Sequence, residues 1–324
     1  MFKMNVVKKA LICGISGQDG AYLSQLLLKK GYQVFGTSRD KHLSSFTNLK
    51  LLGIYDQIQL FSMSLNDFRS TIQVLKDVKP DEIYNLAGQS SVELSFNQPV
   101  ETLESNCIGT LNLLEAIRFL EMPVRLYNAG SGECFGSTGT VMVDENTPFR
   151  PLSPYAVAKA AASMLVANYR KAYGLYACSG ILFNHESSLR PERFVTRKII
   201  ATACRIAKGS METLRLGNMD IERDWGWAPE YVDAMWRMLQ QDQPDDYIVA
   251  TGQTSSLSEF VATAFNALDL DVEKHVISDP ALYRPTDIMT VKVNPSKAKA
   301  ILGWEAQTLM PEVVNKMILS EPSK

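Results

Sequence analysis

Residues 10–20 read ALICGISGQDG, an apolar run followed by glycines at positions 14, 17 and 20. The first glycine permits a tight turn, the second lets a backbone approach a pyrophosphate, and the third allows close contact between strand and helix. The next segment, Ala21–Lys30, has a helical apolar pattern and ends at Gly31, a typical C-terminal cap. Because the first N–H groups of a helix bind phosphate, this strand–turn–helix unit predicts a dinucleotide-binding site.

Short apolar runs separated by helical patterns recur through the first part of the chain. Such alternation is typical of right-handed β-α-β units, so we predict an α/β protein with a Rossmann-type, doubly wound parallel sheet. The runs indicate strands at residues 10–13, 33–37, 57–60, 82–86 and 124–128.

The pattern loosens after about residue 185, which predicts a second, smaller and partly helical lobe. We expect residues 1–184 to form mainly the dinucleotide-binding domain, with strands contributed from about residues 220–252. Residues 185–324 are expected to form mainly the substrate-binding lobe, interleaved with the first domain.

Composition and charge exclude several classes of protein. The 324 residues are 46% hydrophobic and carry a formal net charge of −2, which gives no field for binding nucleic acid or an anionic membrane surface. The sequence has neither a signal-peptide pattern at its start nor an apolar run of the roughly 18 residues that a membrane span needs. Its five cysteines are scattered, without the spacing of a metal or redox pair, so we expect a cytoplasmic protein without a metal site.

The end of the second predicted strand indicates the form of the dinucleotide. An acidic residue there would hydrogen-bond the free ribose hydroxyl of NAD and repel the 2′-phosphate of NADP. This chain has Thr37, Ser38 and Arg39 instead, which favours NADP. Asp40 follows directly, and exposed arginines are common on protein surfaces, so NAD stays open as the less favoured alternative.

Four residues have the chemistry of a catalytic set. Tyr155 and Lys159 are four positions apart and share a helix face, where the ammonium can stabilise a phenolate that acts as general base on a hydroxyl. Ser131 and Glu133 follow the fifth predicted strand, at the sheet edge where open α/β proteins bind ligands. Ser131 can hold a reacting hydroxyl, and Glu133 offers a second proton transfer that a simple dehydrogenase does not need.

Together with the glycine turn, these motifs resemble the extended short-chain dehydrogenase/reductases that act on nucleotide sugars, and within them the GDP-mannose 4,6-dehydratase family. The resemblance implies NADP-dependent conversion of GDP-mannose to GDP-4-keto-6-deoxymannose. Ser131, Tyr155 and Lys159 would serve oxidation at C4, Glu133 would remove the C5 proton as water is lost, and hydride would return to C6. The further matching stretches are residues 85–90, 153–159, 180–187, 194–198, 216–218 and 223–226.

The same resemblance implies two sets of binding residues, NADP mainly on residues 1–184 and the GDP-sugar mainly on residues 185–324. The cofactor set is Gly14, Ser16, Gly17, Gln18, Asp19, Gly20, Arg39, Ser64, Leu65, Leu86, Ala87, Gln89, Tyr155, Lys159 and His185. The substrate set is Ser90, Glu133, Asn184, Val195, Lys198, Leu216, Gly217, Arg223 and Arg284.

Two departures from the family pattern keep alternatives open. Gly132 stands where the family usually has serine, which we expect to open space beside the leaving C6 hydroxyl or to change its protonation. The alternatives are a 4,6-dehydratase of a related GDP-hexose or GDP-heptose, or a C4 reductase or epimerase of a nucleotide sugar. Arg39-Asp40 replaces a pair of arginines that joins subunits around NADP in some members, so we expect a homodimer, with a homotetramer as the alternative.

Overall fold

The computed structural model describes residues 7–321. Its strands are β1 (Lys9–Cys13), β2 (Gln33–Ser38), β3 (Gln59–Ser62), β4 (Glu82–Asn85), β5 (Arg125–Ala129), β6 (Met142–Val143), β7 (Ala177–Leu182), β8 (Asn184–Glu186), β9 (Leu214–Leu216), β10 (Glu222–Trp227), β11 (Tyr247–Val249), β12 (Thr254–Ser256), β13 (Val276–Ser278) and β14 (Lys292–Val293). Its α-helices are α1 (Gln18–Lys29), α2 (Thr47–Leu51), α3 (Phe68–Val78), α4 (Val92–Asn97), α5 (Pro99–Leu103), α6 (Gly109–Phe119), α7 (Pro154–Tyr173), α8 (Val195–Ala207), α9 (Ala228–Met238), α10 (Leu257–Asn266), α11 (Val272–His275) and α12 (Met310–Leu319).

A seven-stranded sheet has the order β11-β7-β5-β4-β1-β2-β3. The pairs from β3 through β7 are all parallel, and the chain winds outward from β1 in both directions. This order confirms the predicted α/β fold with a doubly wound sheet. It also places the end of β1 at the point where the winding reverses, which is where such sheets bind ligands.

The strands and first helix lie close to their predicted positions. The third strand begins at Gln59, two residues late, because Tyr55–Gln57 forms a single 3₁₀ turn. Helix α1 begins at Gln18 rather than Ala21 and ends before Gly31, whose φ of +82° gives the left-handed conformation of a helix stop.

The chain divides into two compact units. The first contains the residues up to Ser131, Pro154–Ile181 and Val232–Tyr247. Its core is built from apolar side chains of β1, β4 and β5 packed with those of α3, α6 and α7, including Leu11 and Leu113. The predicted allocation of cofactor and substrate to separate domains stays a prediction.

The second unit contains Gly132–Ser153, Leu182–Tyr231 and the residues from Ile248 onward. A three-stranded sheet of order β12-β10-β8 lies in it, with β10 parallel to β8 and antiparallel to β12. Helices α8, α10 and α12 contribute to its core, where the rings of Trp225 and Phe260 lie 5.2 Å apart. The well-packed core of the second unit therefore supports strand β10.

All five cysteines are free thiols. Burial raises the pKa of Cys13 and of Cys178 to about 12, so both thiols stay protonated at neutral pH. Among residues 7–321, no group of three or more His, Cys, Asp or Glu side chains could hold a metal ion. Within the same range, no helix is both long enough and apolar enough to cross a bilayer.

Candidate active site

The glycine turn has the geometry of a phosphate-binding loop. Gly14 has φ of +80°, and a Cβ there would lie 2.9 Å from the backbone of Ala87. A Cβ on Gly20 would lie 2.7 Å from Cα of Ile15, so the helix packs directly on the turn. Gly17, by contrast, is exposed, and its Cβ would meet only a carbonyl oxygen of the turn at 3.5 Å. Two glycines therefore shape the turn, and the third leaves its outer side open for a ligand.

The other predicted residues of the turn and of the loop after β4 lie around this point in the first unit. Ser16 is exposed, and the Gln18 side chain donates to Asp19 Oδ1 at 3.0 Å. The N–H of Leu86 donates to the carbonyl of Cys13 at 3.0 Å, which joins the ends of β4 and β1. Ser90 is exposed, whereas the Gln89 side chain is engaged within its own loop by Ser91 and Thr102.

The residues predicted to select NADP differ in accessibility. Thr37 is buried, and its side chain interacts with Cys13. The Ser38 hydroxyl accepts from Ser44 at 3.1 Å. Arg39 is 83% exposed and lies 3.6 Å from Glu101 Oε1. Arg39 thus offers an accessible positive charge at the end of β2.

Ser64 and Leu65 follow β3. Ser64 is half-buried, and its N–H and carbonyl both bond the Ser70 hydroxyl. The Leu65 side chain belongs to the core of the first unit. The backbone of Leu65 is therefore the part of this residue that is left for contact with a cofactor.

Tyr155 and Lys159 stand in the first two turns of α7. Lys159 is buried, its Nζ donates to the carbonyl of Ala129 at 2.9 Å, and Nζ lies 5.9 Å from the centre of the Tyr155 ring. Ala129 ends β5, and Ser131 follows two residues later with 8% of its surface exposed. The first unit therefore brings the predicted ammonium to the carboxyl end of β5, and Ser131 continues from that end.

Glu133 belongs to the second unit, in the single 3₁₀ turn Gly132–Phe135. Its Oε1 lies 3.6 Å from Nε of Arg223, which β10 supplies. Nη2 of Arg223 lies 3.4 Å from Asp287 Oδ1, and the same oxygen lies 3.7 Å from Arg284 Nη1. Sequence reasoning missed Asp287, although its position three residues after Arg284 could have indicated a local ion pair. The structure thus groups two predicted substrate arginines with two carboxylates.

Four further predicted substrate residues lie on α8, on β9 and directly after β9, in the second unit. Val195 begins α8, and one turn later Lys198 donates from Nζ to the carbonyl of Arg215 at 2.6 Å. The Leu216 side chain is 2% exposed in the core of the second unit, which leaves only its backbone for ligand contact. A Cβ on Gly217 would lie 2.8 Å from the carbonyl of Leu282.

His185 and Asn184 are neighbours on β8. The His185 ring is buried, its Nδ1 lies 2.7 Å from the Phe183 carbonyl oxygen, and the ring stacks on Tyr231 at 4.6 Å. Asn184 is half-buried and pairs with Trp225 of β10. His185 is therefore a packed histidine in the second unit, and its predicted contact with the cofactor stays a prediction.

The expectation of open space beside Gly132 is wrong. A Cβ on Gly132 would lie 2.9 Å from Cε2 of Phe183 and 3.0 Å from two further ring carbons. The Phe183 ring also stacks on Phe135, at 6.3 Å between ring centres. The volume that a side chain would use at position 132 is therefore filled by an aromatic ring.

Gly132→Ser is expected to destabilise the protein by about 1–3 kcal/mol, because overpacking a filled interior forces side chains to shift. Urea unfolding would measure the loss. Adding Phe183→Leu to the same chain removes the ring from the contact and is expected to recover part of it. Equal stability of Gly132→Ser and the wild type would contradict this account.

Asp224, next to Arg223 in β10, is a buried carboxylate. Its oxygens accept from the N–H groups of Thr251 at 2.9 Å and Gly252 at 2.7 Å. Desolvation outweighs these hydrogen bonds and raises the pKa of Asp224 from 3.8 to about 6. The folded protein therefore favours the protonated form of Asp224 more strongly than the unfolded chain does. This contribution to stability is complete below the pKa of the unfolded chain and is lost as pH rises through about 6.

Relative to Asp224→Asn, which does not titrate, the wild-type free energy of unfolding is expected to fall between about pH 4 and about pH 7, by up to about 3 kcal/mol. Urea unfolding of both proteins across that range measures the difference. A difference that stays constant with pH would show that Asp224 titrates alike in the folded and unfolded chains.

The glycine turn lies where the winding of the sheet reverses, and a Tyr–Lys pair lies on the helix that packs beside β5. Together these features define an enzyme of the short-chain dehydrogenase/reductase class. A family model described as GDP-mannose 4,6 dehydratase matches residues 11–317. The chain belongs to the GDP-mannose 4,6-dehydratase family, which confirms the resemblance.

Individual proteins agree with this assignment. GDP-mannose 4,6 dehydratase 1 of Arabidopsis thaliana is 45% identical over 323 residues, which cover 96% of this chain and 89% of that protein. GDP-mannose 4,6-dehydratase of Yersinia enterocolitica is 42% identical over 351 residues, covering 97% and 94%. Among solved structures, the UDP-glucose 4-epimerase of Thermus thermophilus in complex with NAD has a TM-score of 0.84 at 25% identity, covering 96% and 97%.

Proposed function

We propose that this protein is an NADP-dependent GDP-mannose 4,6-dehydratase that produces GDP-4-keto-6-deoxymannose. The observation that carries the proposal is Glu133, held beside Arg223 in a chain that also has Ser131, Tyr155 and Lys159. Oxidation of an alcohol needs one proton acceptor, and elimination of water needs a second. A member of this family with both sets of groups has the chemistry for both steps.

Each of the four residues has a separate task. Tyr155 acts as a phenolate, which the Lys159 ammonium stabilises, and takes the proton of the sugar 4-hydroxyl. Ser131 hydrogen-bonds the oxygen of that hydroxyl. The glycine turn would hold the pyrophosphate of the dinucleotide, whose nicotinamide would supply a hydride acceptor for C4 and a hydride donor for C6, so no net oxidant is consumed. The C4 ketone acidifies C5, and Glu133 removes the C5 proton as hydroxide leaves C6, so that the proton and the hydroxide together give water. When hydride adds to C6, the proton taken from the 4-hydroxyl returns to C5.

The nucleotide sugar is proposed to bind mainly through residues 185–324. Arg284 is 29% exposed and suits phosphate, because its planar fork donates paired hydrogen bonds. The relatives named GDP-mannose 4,6-dehydratase support GDP-mannose as the substrate. A related GDP-hexose or GDP-heptose is the second candidate. Gly132 precedes Glu133 in the sequence, and the Phe183 ring occupies the space that a side chain at position 132 would use.

Incubation with NADP and GDP-mannose tests the proposal, with mass spectrometry of the product. A nucleotide sugar lighter by one water is expected. An isomerised sugar would contradict dehydration and indicate an epimerase, and consumption of added reduced cofactor would indicate a reductase. A panel of GDP-hexoses and GDP-heptoses in the same assay identifies the preferred sugar.

NADP is proposed over NAD on the strength of Arg39. The UDP-glucose 4-epimerase complex with NAD supports a nicotinamide dinucleotide in general. Thermal unfolding with each cofactor separates the two forms, because a ligand that binds the folded state raises its stability with affinity. A larger upward shift with NAD would contradict the proposal.

We also propose a cytoplasmic homodimer, in line with its free thiols. Helix α7 packs beside α5 and α6, and these helices, together with the π-helical segment Glu104–Ile108, carry exposed apolar side chains. They are Val100, Leu103, Ile108, Val157 and Met164. A second copy is the occupant that fits, because an apolar patch on paired helices is complementary to itself across a two-fold axis.

Met164→Glu is expected to convert the dimer to a monomer, because it places a charge in an apolar interface. Light scattering coupled to size-exclusion chromatography gives the mass. Met211→Glu, at a side chain that is 96% exposed in the second unit, is the matched control and should leave the dimer intact. A Met164→Glu protein that remains dimeric would place the interface elsewhere.

A further inference from the structure

Helices α5 and α6 are joined by a single π-helical turn, the segment Glu104–Ile108. Leu103 and Gly109, on either side of it, both have right-handed helical backbone, so the helix continues through the turn. Single π-helical turns inside helices are rare and occur frequently at functional sites. This one contains no proline that would impose an irregular backbone, so its cause lies in what the segment contacts.

Two consecutive side chains of the π-helical segment hold both backbone groups of Gln89, in the loop after β4. The Ser105 hydroxyl accepts from the Gln89 N–H at 3.1 Å. Asn106 donates from Nδ2 to the Gln89 carbonyl at 2.9 Å and to the carbonyl of Thr102 at 3.0 Å. Asn106 is 2% exposed, so its hydrogen bonds lie in a low-dielectric interior, where they are strong. The loop is thus fixed at one residue through its N–H and its carbonyl together.

The contacts continue from Gln89 to the glycine turn. Gly88 has φ of +141°, and a Cβ there would collide with Oδ1 of Asn106, so the Gly88 backbone lies directly against that amide. The backbone of Ala87 lies against Gly14, where a Cβ would come within 2.9 Å of Ala87 Cα. A continuous set of contacts therefore joins the π-helical segment, the loop after β4 and the glycine turn.

The other side of this loop is accessible. Gly88 and Ser90 are exposed, whereas Gln89 between them is half-buried. Ala87 and Gln89 belong to the predicted cofactor set, and Ser90 belongs to the predicted substrate set. The inward hydrogen bonds of Gln89 therefore leave the outward side of the loop for a ligand.

We infer that Ser105 and Asn106 are positioning residues that hold residues 86–90 in the shape that binds NADP. Both act through the backbone of Gln89. A loop that is already ordered loses less conformational entropy when a ligand binds, so the ligand binds more tightly. The inference rests on the proposed function for the identity of the cofactor.

The experiment compares Ser105→Ala with Ser105→Thr in the full-length protein, with isothermal titration calorimetry of NADP. Loss of one neutral hydrogen bond corresponds to about a three- to tenfold change in an equilibrium constant, so Ser105→Ala should raise the Kd by about that factor. Ser105→Thr keeps the hydroxyl and should keep the Kd within about twofold of wild type. Ser95→Ala is the matched control, because this buried hydroxyl donates to the Val92 carbonyl at 2.6 Å within α4, and it should bind NADP like the wild type.

Hydrogen exchange gives a second readout, which needs neither cofactor nor substrate. In the cofactor-free wild type the Gln89 N–H should exchange more slowly than in an unfolded chain, because Ser105 accepts from it. In Ser105→Ala the same N–H should exchange about three- to tenfold faster, and Ser105→Thr should restore the slow rate.

The outcomes separate this inference from the proposed function. A folded Ser105→Ala that binds NADP as tightly as the wild type would overturn the positioning role, as would an equal loss of affinity in Ser95→Ala. Wild-type protein that binds NADP but releases no water from any GDP-sugar would overturn the proposed function alone, and one that does not bind NADP would overturn both. If Ser105→Ala does not fold, exchange of the wild-type Gln89 N–H decides, with a slow rate supporting the role and an unprotected rate refuting it.

Discussion

Glu133→Gln is expected to stop the loss of water while leaving oxidation of the sugar at C4 intact. Glutamine preserves the shape of the side chain but cannot accept the C5 proton. Removal of a general base typically costs about 10²- to 10⁴-fold in rate, so kcat should fall by that amount. The enzyme should hold the oxidised sugar and the reduced cofactor, which single-turnover absorbance would detect.

The control for this substitution is Glu192→Gln. Glu192 lies in the same unit, has 56% of its side chain exposed and pairs with Arg205 on the surface. It should retain wild-type kcat, since an exposed ion pair contributes little to the fold. Product lighter by one water, formed by Glu133→Gln at the wild-type rate, would assign the elimination to another group.

The fold could be read from the sequence because its signals are local. Strand β1, the glycine turn and α1 lie within residues 9–29, and the apolar period changes from strand to helix where the structure does. Gly14 and Gly20 were predictable because a side chain at either would collide with neighbouring backbone. The parallel sheet followed from the repeated alternation of strands and helices.

The candidate site could be read only in part, because the missing information is tertiary. Asp287 joins Arg223 from 64 residues away in the chain. The Phe183 ring fills the space at Gly132 from the residue between β7 and β8, and Thr37 is buried beside Cys13. None of these contacts has a period or a spacing in the sequence. A motif can thus identify Arg223 as a functional residue without showing that two backbone carbonyls hold its Nη1.

Arg223 and Arg284 have different surroundings in the structure. Arg223 and Arg284 are both arginines at positions that the family resemblance assigns to the substrate, and sequence reasoning gave them one role. Backbone carbonyls bind the first, whereas an exposed surface surrounds part of the second. Both stay predicted ligands of the substrate, the first held by backbone carbonyls and the second more accessible.

Tyr155→Phe is expected to block the reaction before Glu133 is needed. Phenylalanine keeps the ring 5.9 Å from the Lys159 ammonium but removes the oxygen that accepts the 4-hydroxyl proton. We expect kcat to fall about 10²- to 10⁴-fold, as for Glu133→Gln, but without reduced cofactor, because hydride cannot leave C4 until its hydroxyl loses a proton. Single-turnover absorbance, with cofactor binding measured separately by thermal shift, distinguishes the two variants.

Tyr173→Phe, at the other end of the same helix and 50% exposed, is the control and should retain activity. The order of steps gives the stronger test. In the double variant Tyr155→Phe with Glu133→Gln, the earlier block should dominate, so the absorbance of reduced cofactor seen with Glu133→Gln alone should disappear. Its persistence would mean that a group other than Tyr155 accepts the first proton, because hydride would then have left C4 without the phenol.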